Sequence, residues 1–178
     1  MDIKKSSGII LHPTALPGPF GIGDFGRECR DFIDMLENSG TKFWQVLPLG
    51  FTDELEYSPY SSKSSILGNP YLVSLDLIEN VDITQEEINN FVDTTTNLYV
   101  NYSNVYESKK YVFERIAKQV NVEEIQYSKF LENENIRKHI VFITLSEATN
   151  ENWTKWDKNF SVYSENIFAS ASNSPHGV

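Results

Sequence analysis

The stretch Glu54-Leu-Glu-Tyr-Ser-Pro-Tyr-Ser-Ser62 sets carboxylates, hydroxyls and two aromatic rings side by side. An aromatic ring lies well against the apolar face of a pyranose while neighbouring hydroxyls exchange hydrogen bonds with the sugar's own. Tyr57, Ser58 and Tyr60 therefore suit a carbohydrate. The same residues also describe an exposed loop whose rings merely cover a core. Glu54 and Glu56 invite a reading as paired acid and base, but an i, i+2 pair in an irregular loop is ordinarily solvated, so no catalytic role is assigned there. His12 ends an apolar run where it could orient a ligand; no second ligand at a regular spacing accompanies it, so no metal site is assigned.

Gly21-Ile-Gly-Asp-Phe-Gly26 fits G-x-G-x-x-G and opens a helix, the arrangement that holds a dinucleotide pyrophosphate. The context argues against that chemistry. The first glycine of that motif closes a turn directly after its strand, whereas here a proline-rich stretch, Pro13 to Phe20, intervenes. No acidic residue ends the second strand, where Val46-Leu47-Pro48 stands instead. These glycines are expected to shape a long loop. Trp153 and Trp156 could form a stacking platform, although core packing is the simpler reading of their spacing. Asn101-Tyr-Ser, Asn152-Trp-Thr and Asn159-Phe-Ser fit the glycosylation acceptor without any secretory signal to support it.

The elements that must position these residues are short. Ser7 to His12 is a β-branched run stopped by Pro13, which predicts a strand buried on both faces. Phe25, Cys29, Phe32, Ile33 and Leu36 recur at helical spacing, with Asp24 placed to cap and Asn38-Ser39-Gly40 placed to stop, predicting a helix over 26–38. Thr41 to Leu47 is a second apolar run ended by Pro48, so strand, helix and strand form one parallel βαβ unit. The polar, turn-rich segment from Gly50 to Tyr71 follows the second strand's carboxyl end, the edge at which parallel α/β folds bind ligands. Beyond Asp76 the texture becomes helical. Thr84-Gln-Glu-Glu87 is a capping-box pattern, and Tyr102, Val105, Tyr106, Val112, Phe113, Ile116 and Val120 mark an apolar stripe. Helix continues over about 122–149 with breaks near Tyr127 and Asn133. Residues 161–178 read as a poorly ordered tail.

Composition narrows the function. The 178 residues are 40% hydrophobic and 13% aromatic, enough to bury a core, and the formal charge of -10 excludes nucleic acid and anionic membrane as partners. Cys29 is the single cysteine, so no intrachain disulfide forms. The apolar run after Lys4 and Lys5 is too short for a signal-peptide core or a bilayer span, and a cytoplasmic protein is expected.

Gly8-Ile-Ile-Leu-His-Pro-Thr-Ala-Leu-Pro-Gly-Pro-Phe-Gly-Ile-Gly-Asp-Phe-Gly26, Phe43-Trp-Gln-Val-Leu-Pro-Leu-Gly50, Ser58-Pro-Tyr60 and Gly68-Asn-Pro-Tyr-Leu72 resemble, in order and spacing, the opening of the 4-alpha-glucanotransferase (amylomaltase) family. The resemblance is close over 8–76, weaker to Trp156 and absent after about residue 160. It implies a (β/α)8 barrel with a largely helical insertion. It also implies transfer of alpha-1,4-glucan segments between maltooligosaccharides by a retaining route without a cofactor. Such a route needs an Asp nucleophile and a Glu acid/base about 5 Å apart, which in the family lie beyond position 178. Carried over by motif, Ser58 and Tyr60 line donor-sugar subsites, with Asn69, Pro70 and Tyr71 supporting that loop. Phe51 stands where the family often has proline, and Ser61 where glutamine is common.

A (β/α)8 barrel needs on the order of 250 residues. The expected fold is accordingly α/β: an incomplete barrel with its first βαβ unit and substrate loop over 1–78, a helical insertion over 79–160 and the tail over 161–178. The expected protein is a catalytically inactive portion of a longer glycosyltransferase. A non-catalytic maltooligosaccharide-binding module and an interaction fragment using the acidic helices are the alternatives.

Overall fold

A computed structural model describes residues 5–53, 56–79, 81–91, 99–119, 125–149, 151–160 and 162–172. Glu54, Val120 and the end of the tail lie outside these. The chain forms two compact units, Met1–Ser62 with Gly68–Lys118, and Lys63–Leu67 with Gln119–Val178. The boundary expected at 78/79 does not coincide with this division, because the helices just beyond it pack into the first unit.

In the first unit, strands β1 (Gly8–Ile10) and β2 (Phe43–Gln45) pair in parallel, Gly8 opposite Phe43, and helix α1 (Arg27–Asn38) connects them. The βαβ order is as expected, but the strands are shorter and are not buried on both faces. Ile10 is 67% exposed and Phe43 56% exposed, because among the described residues a two-stranded sheet has no further strand or helix to cover them. Helix α1 likewise buries Cys29 and Leu36 but leaves Ile33 exposed. Trp44 ties the two strands together: its indole N–H donates to the Leu11 carbonyl at 2.7 Å and its ring meets Phe32 edge to face.

The core of this unit lies under α2 (Gln85–Phe91) and α3 (Tyr102–Ala117). Phe20, Leu75, Phe91 and Val112 form its centre, with Ile83, Ile88, Phe113 and Ile116 packed around them. The capping box is formed. The Glu87 carboxylate accepts from the Thr84 amide at 2.9 Å, and the Thr84 hydroxyl accepts from the Glu87 amide. Arg115 of α3 adds an ion pair to Glu87 at 2.9 Å and so fastens the two helices. The Thr84 amide, followed by the Thr84 hydroxyl and Arg115, holds the Glu87 carboxyl below its usual value against the opposing effect of burial. A carboxyl lowered in the folded state contributes stability that is present above its ordinary range and is lost as pH falls through the lowered value. Glu87→Gln is therefore expected to cost about 1–2 kcal/mol at neutral pH. Urea titrations of the two proteins should converge as pH falls through that lowered value; a gap independent of pH would refute this account of the pair.

In the second unit, α4 (Ile125–Glu132) and α5 (Glu134–Thr149) are separated at Asn133, which caps α5 by accepting from the Asn135 amide. Tyr127, near which a break was expected, lies within α4, and residues 120–124 before that helix lie outside the described residues. Helix α5 buries Ile140, Val141, Ile143 and Thr144. Residues Glu165–Ser172, expected in a poorly ordered tail, form helix α6. Arg137 explains this, because its guanidinium donates to the Glu165 carboxylate at 3.2 Å and to the Tyr163 hydroxyl at 3.3 Å. Trp153 and Trp156 form neither a platform nor a shared core: Trp156 packs on Phe142 while Trp153 is 60% exposed. Asn101 and Asn152 are caps, accepting from the Asn104 and Thr154 amides respectively, which accounts for both without glycosylation. Among the described residues no helix is long and apolar enough to cross a membrane.

Candidate functional site

Beyond β2, an isolated antiparallel bridge between Gly50 and Gly68 and another between Thr52 and Ser62 fold the polar segment back on itself. The result brings three chain segments around a cavity of about 260 Å³. His12, Thr14 and Ala15 come from the turn after β1, Thr52, Tyr57 and Pro59 from the folded loop, and Asn69 and Tyr71 from the turn after Gly68. Tyr102 joins them from the first turn of α3.

Each wall has a local cause. His12 caps the turn Pro13–Ala15: its Nδ1 accepts from the Thr14 amide and meets the Thr14 hydroxyl at 2.8 Å. Burial pushes the imidazole below its usual value, with the Pro48 carbonyl acting the other way, so the ring is neutral at physiological pH. Asn69 caps the turn Pro70–Leu72 by accepting from the Tyr71 amide at 2.9 Å, while Pro70 occupies the first position, where its missing N–H costs nothing. Tyr57 adopts a left-handed backbone with φ of 51°, a conformation that costs a non-glycine residue about 1 kcal/mol or more. Its ring stacks on Tyr102 at 5.5 Å with an interplanar angle of 18°. The strained conformation thus presents an aromatic face. Thr52 is buried and its hydroxyl has no hydrogen-bond partner among the described residues.

The glycines of the G-x-G-x-x-G stretch have a packing role. A Cβ on Gly23 would lie 2.1 Å from the Pro13 carbonyl oxygen, and one on Gly21, at φ of +72°, 2.6 Å from that of Phe91. They let the loop press against the pocket turn and the core helix. Asp24 does not cap α1 with its side chain: Gly26 is the N-cap, and Asp24 accepts from the Gly26 amide at 2.8 Å while its other oxygen faces Lys109.

Of the residues singled out by sequence, His12, Tyr57, Asn69 and Tyr71 line the cavity. Ser58, Tyr60 and Pro70 stand outside its lining, Tyr60 73% exposed and Ser58 accepting from the Tyr60 amide at 3.3 Å. Glu56 accepts from the Ser61 hydroxyl at the surface, and Glu54 lies outside the described residues. Thr14, Thr52 and Tyr102 were not anticipated as lining. Tyr102 carried a signal, since it belongs to the apolar stripe of α3, but nothing local says that its ring meets Tyr57. Among the described residues no cluster of three or more His, Cys, Asp or Glu side chains could hold a metal. The cavity therefore offers aromatic faces and neutral polar groups, a lining suited to an uncharged, hydroxyl-rich ligand.

The 4-alpha-glucanotransferase family model matches residues 11–176, so the likeness continues beyond residue 160, where the sequence motifs had placed its end. The chain is 34% identical over 160 residues to the 4-alpha-glucanotransferase of Thermus thermophilus, covering 88% of this chain and 32% of that one. It is 37% identical over 134 residues to the chloroplastic/amyloplastic 4-alpha-glucanotransferase of Solanum tuberosum, covering 73% and 23%. The amylomaltase of Streptococcus agalactiae, solved in complex with acarbose, superposes with a TM-score of 0.77 at 29% identity, over 96% of this chain and 36% of that one. The chain thus spans about a third of the length of the curated relatives it matches most fully.

Proposed function

This chain belongs to the 4-alpha-glucanotransferase family, and we propose that it is the amino-terminal, sugar-contacting portion of an enzyme that transfers alpha-1,4-glucan segments between maltooligosaccharides with retention. The observation that carries this reading is the cavity walled by Tyr57, Tyr71 and Tyr102 with Thr52, Asn69 and His12 between the rings. Pyranose faces stack on the tyrosines while the polar groups exchange hydrogen bonds with sugar hydroxyls. Tyr60, exposed, and the half-buried Ser58 extend the contact surface along a longer glucan, and Pro70 stiffens the turn that carries Tyr71. In this reading β1, α1 and β2 are the first unit of a (β/α)8 barrel, whose further elements cover the exposed Ile10 and Phe43. The Asp nucleophile and Glu acid/base of the retaining route are supplied outside residues 1–178, so the 178-residue chain binds without turning over, and no cofactor takes part. A reducing cytoplasmic setting fits a chain with Cys29 as its single cysteine.

Calorimetric titration of the 178-residue chain with acarbose, beside a maltotriose assay for released glucose, tests this. Saturable binding weakened roughly five- to tenfold by Tyr57→Ala, with no glucose released, is the expected result, an aromatic contact being worth about 1 kcal/mol. No saturation in the millimolar range overturns the sugar reading, and glucose release by the chain overturns the placement of the catalytic carboxylates.

A further inference from the structure

Lysine is almost never fully buried unless its ammonium is satisfied. Lys109 of α3 is 0% exposed. Its Nζ donates to the Tyr71 carbonyl at 2.6 Å and to the Val73 carbonyl at 2.8 Å, and it faces the buried Asp24 carboxylate at 3.7 Å. The two carbonyls take two of the three donors of an ammonium, and the carboxylate balances its charge. Lys109 and these partners join three separate pieces of chain: α3, the loop before α1, and the turn that carries Tyr71 into the cavity.

We propose that Lys109 is the positioning residue of the sugar pocket, gripping the backbone on either side of Leu72 so that the Tyr71 wall is held against α3. The proposal rests on the sugar-binding reading of that pocket. Tyr102, Tyr106 and Lys109 lie at i, i+4 and i+7 along one face of the helix. Tyr102 stacks on Tyr57, Tyr106 meets the Tyr71 ring edge to face at 5.5 Å, and Lys109 fastens the Tyr71 main chain. One helix face therefore sets both the rings of the wall and the backbone behind them. Stability alone gives a poor account of the lysine. A buried pair at 3.7 Å whose Asp24 Oδ2 has no hydrogen-bond partner among the described residues is ordinarily matched or surpassed by apolar side chains of similar volume. Apolar side chains, however, would leave the Tyr71 and Val73 carbonyls without their donor.

Protonation supports the geometry. Burial lowers Lys109 to about 8, with Asp24 and, more weakly, Asp76 acting to raise it. The groups that face it are those two carboxylates and the Phe20 ring, 6.0 Å from Nζ. Loss of the proton leaves two N–H donors for the two carbonyls but removes the positive charge behind them, so both hydrogen bonds weaken and the Leu72 and Ser74 amides that follow those carbonyls respond.

The test compares the 178-residue chain with Asp24→Asn/Lys109→Met, which removes the grip without orphaning a buried charge. Acarbose titration is read alongside the amide resonances of Leu72 and Ser74, which follow the two gripped carbonyls. Expected are a cooperative melt, acarbose affinity at least tenfold weaker, and shifted Leu72 and Ser74 amides. A folded double variant with parental resonances and affinity overturns the proposal. If the parent chain itself fails to bind acarbose, the sugar reading falls, and the two resonances still decide whether Lys109 positions the turn. Should the double variant not fold, the parent chain's own pH titration decides. Leu72 and Ser74 amides that titrate with a midpoint near pH 8 support the grip, and flat resonances through pH 10 overturn it.

Discussion

Gly23→Ala is expected to unfold the first unit or to lower its stability by about 3–5 kcal/mol, a large part of the roughly 5–15 kcal/mol that holds a domain together. The cause is backbone meeting backbone. The new methyl would sit 2.1 Å from the Pro13 carbonyl oxygen and 2.5 Å from that of Leu16, and neither can swing aside as a side-chain end would. The Gly23 amide donates to the Thr14 carbonyl at 3.3 Å, so the displaced chain would also lose a bond inside the turn that carries His12 and Thr14 to the cavity. Gly68→Ala supplies the contrast, since a Cβ there has no atom within 4 Å and should change stability by less than about 0.5 kcal/mol. Urea denaturation of both variants checks this, and a stable Gly23→Ala protein would mean that the loop can move away from the Pro13 turn.

Phe91→Ala should cost about 3–5 kcal/mol through loss of buried area and the cavity left behind. Phe91 is 2% exposed, packs edge to face on Phe20 at 5.5 Å, and shares a core with Leu75 and Val112. Phe20 directly precedes Gly21, whose tight approach to the Phe91 carbonyl fixes how the loop enters the pocket region. Faster amide hydrogen exchange is therefore expected in the loop at Ile22 and Gly23 as well as in α2. The Arg137 cluster belongs to the second compact unit, and its amides should be unaffected. Equal acceleration in both units would show that they unfold together.

Both substitutions act on parts of the molecule that differed in how far sequence disclosed them. The glycines of 21–26 were readable as loop-shaping residues because proline separates them from the strand, and the collisions at Gly21 and Gly23 give the physical form of that reading. The capping box at Thr84 was equally legible, since it is a local pattern with a local cause. Strand burial was misread because an apolar run reports what a sheet face prefers to touch, not whether a partner is there, and Ile10 stays exposed. The tail was misread because α6 is fastened by Arg137, far away in sequence.

By itself, then, the sequence determined the βαβ order, the capping box at Thr84, the polar and aromatic character of the loop, and the family, through motifs whose spacing survives without any knowledge of contacts. The tertiary structure decided which of those residues meet. Asn69 and Tyr71 reach the cavity while Tyr60 remains outside it, because the bridges at Gly50 and Thr52 set the fold of the loop. Lys109 and Lys110 are indistinguishable as neighbours in sequence, and position 109 is the gap in an otherwise apolar stripe from Tyr102 to Ile116. Only the packing of the Tyr71 turn and Asp24 over that gap makes a buried ammonium there tolerable, since two of its donors find carbonyls and its charge finds a carboxylate, none of which a local pattern supplies.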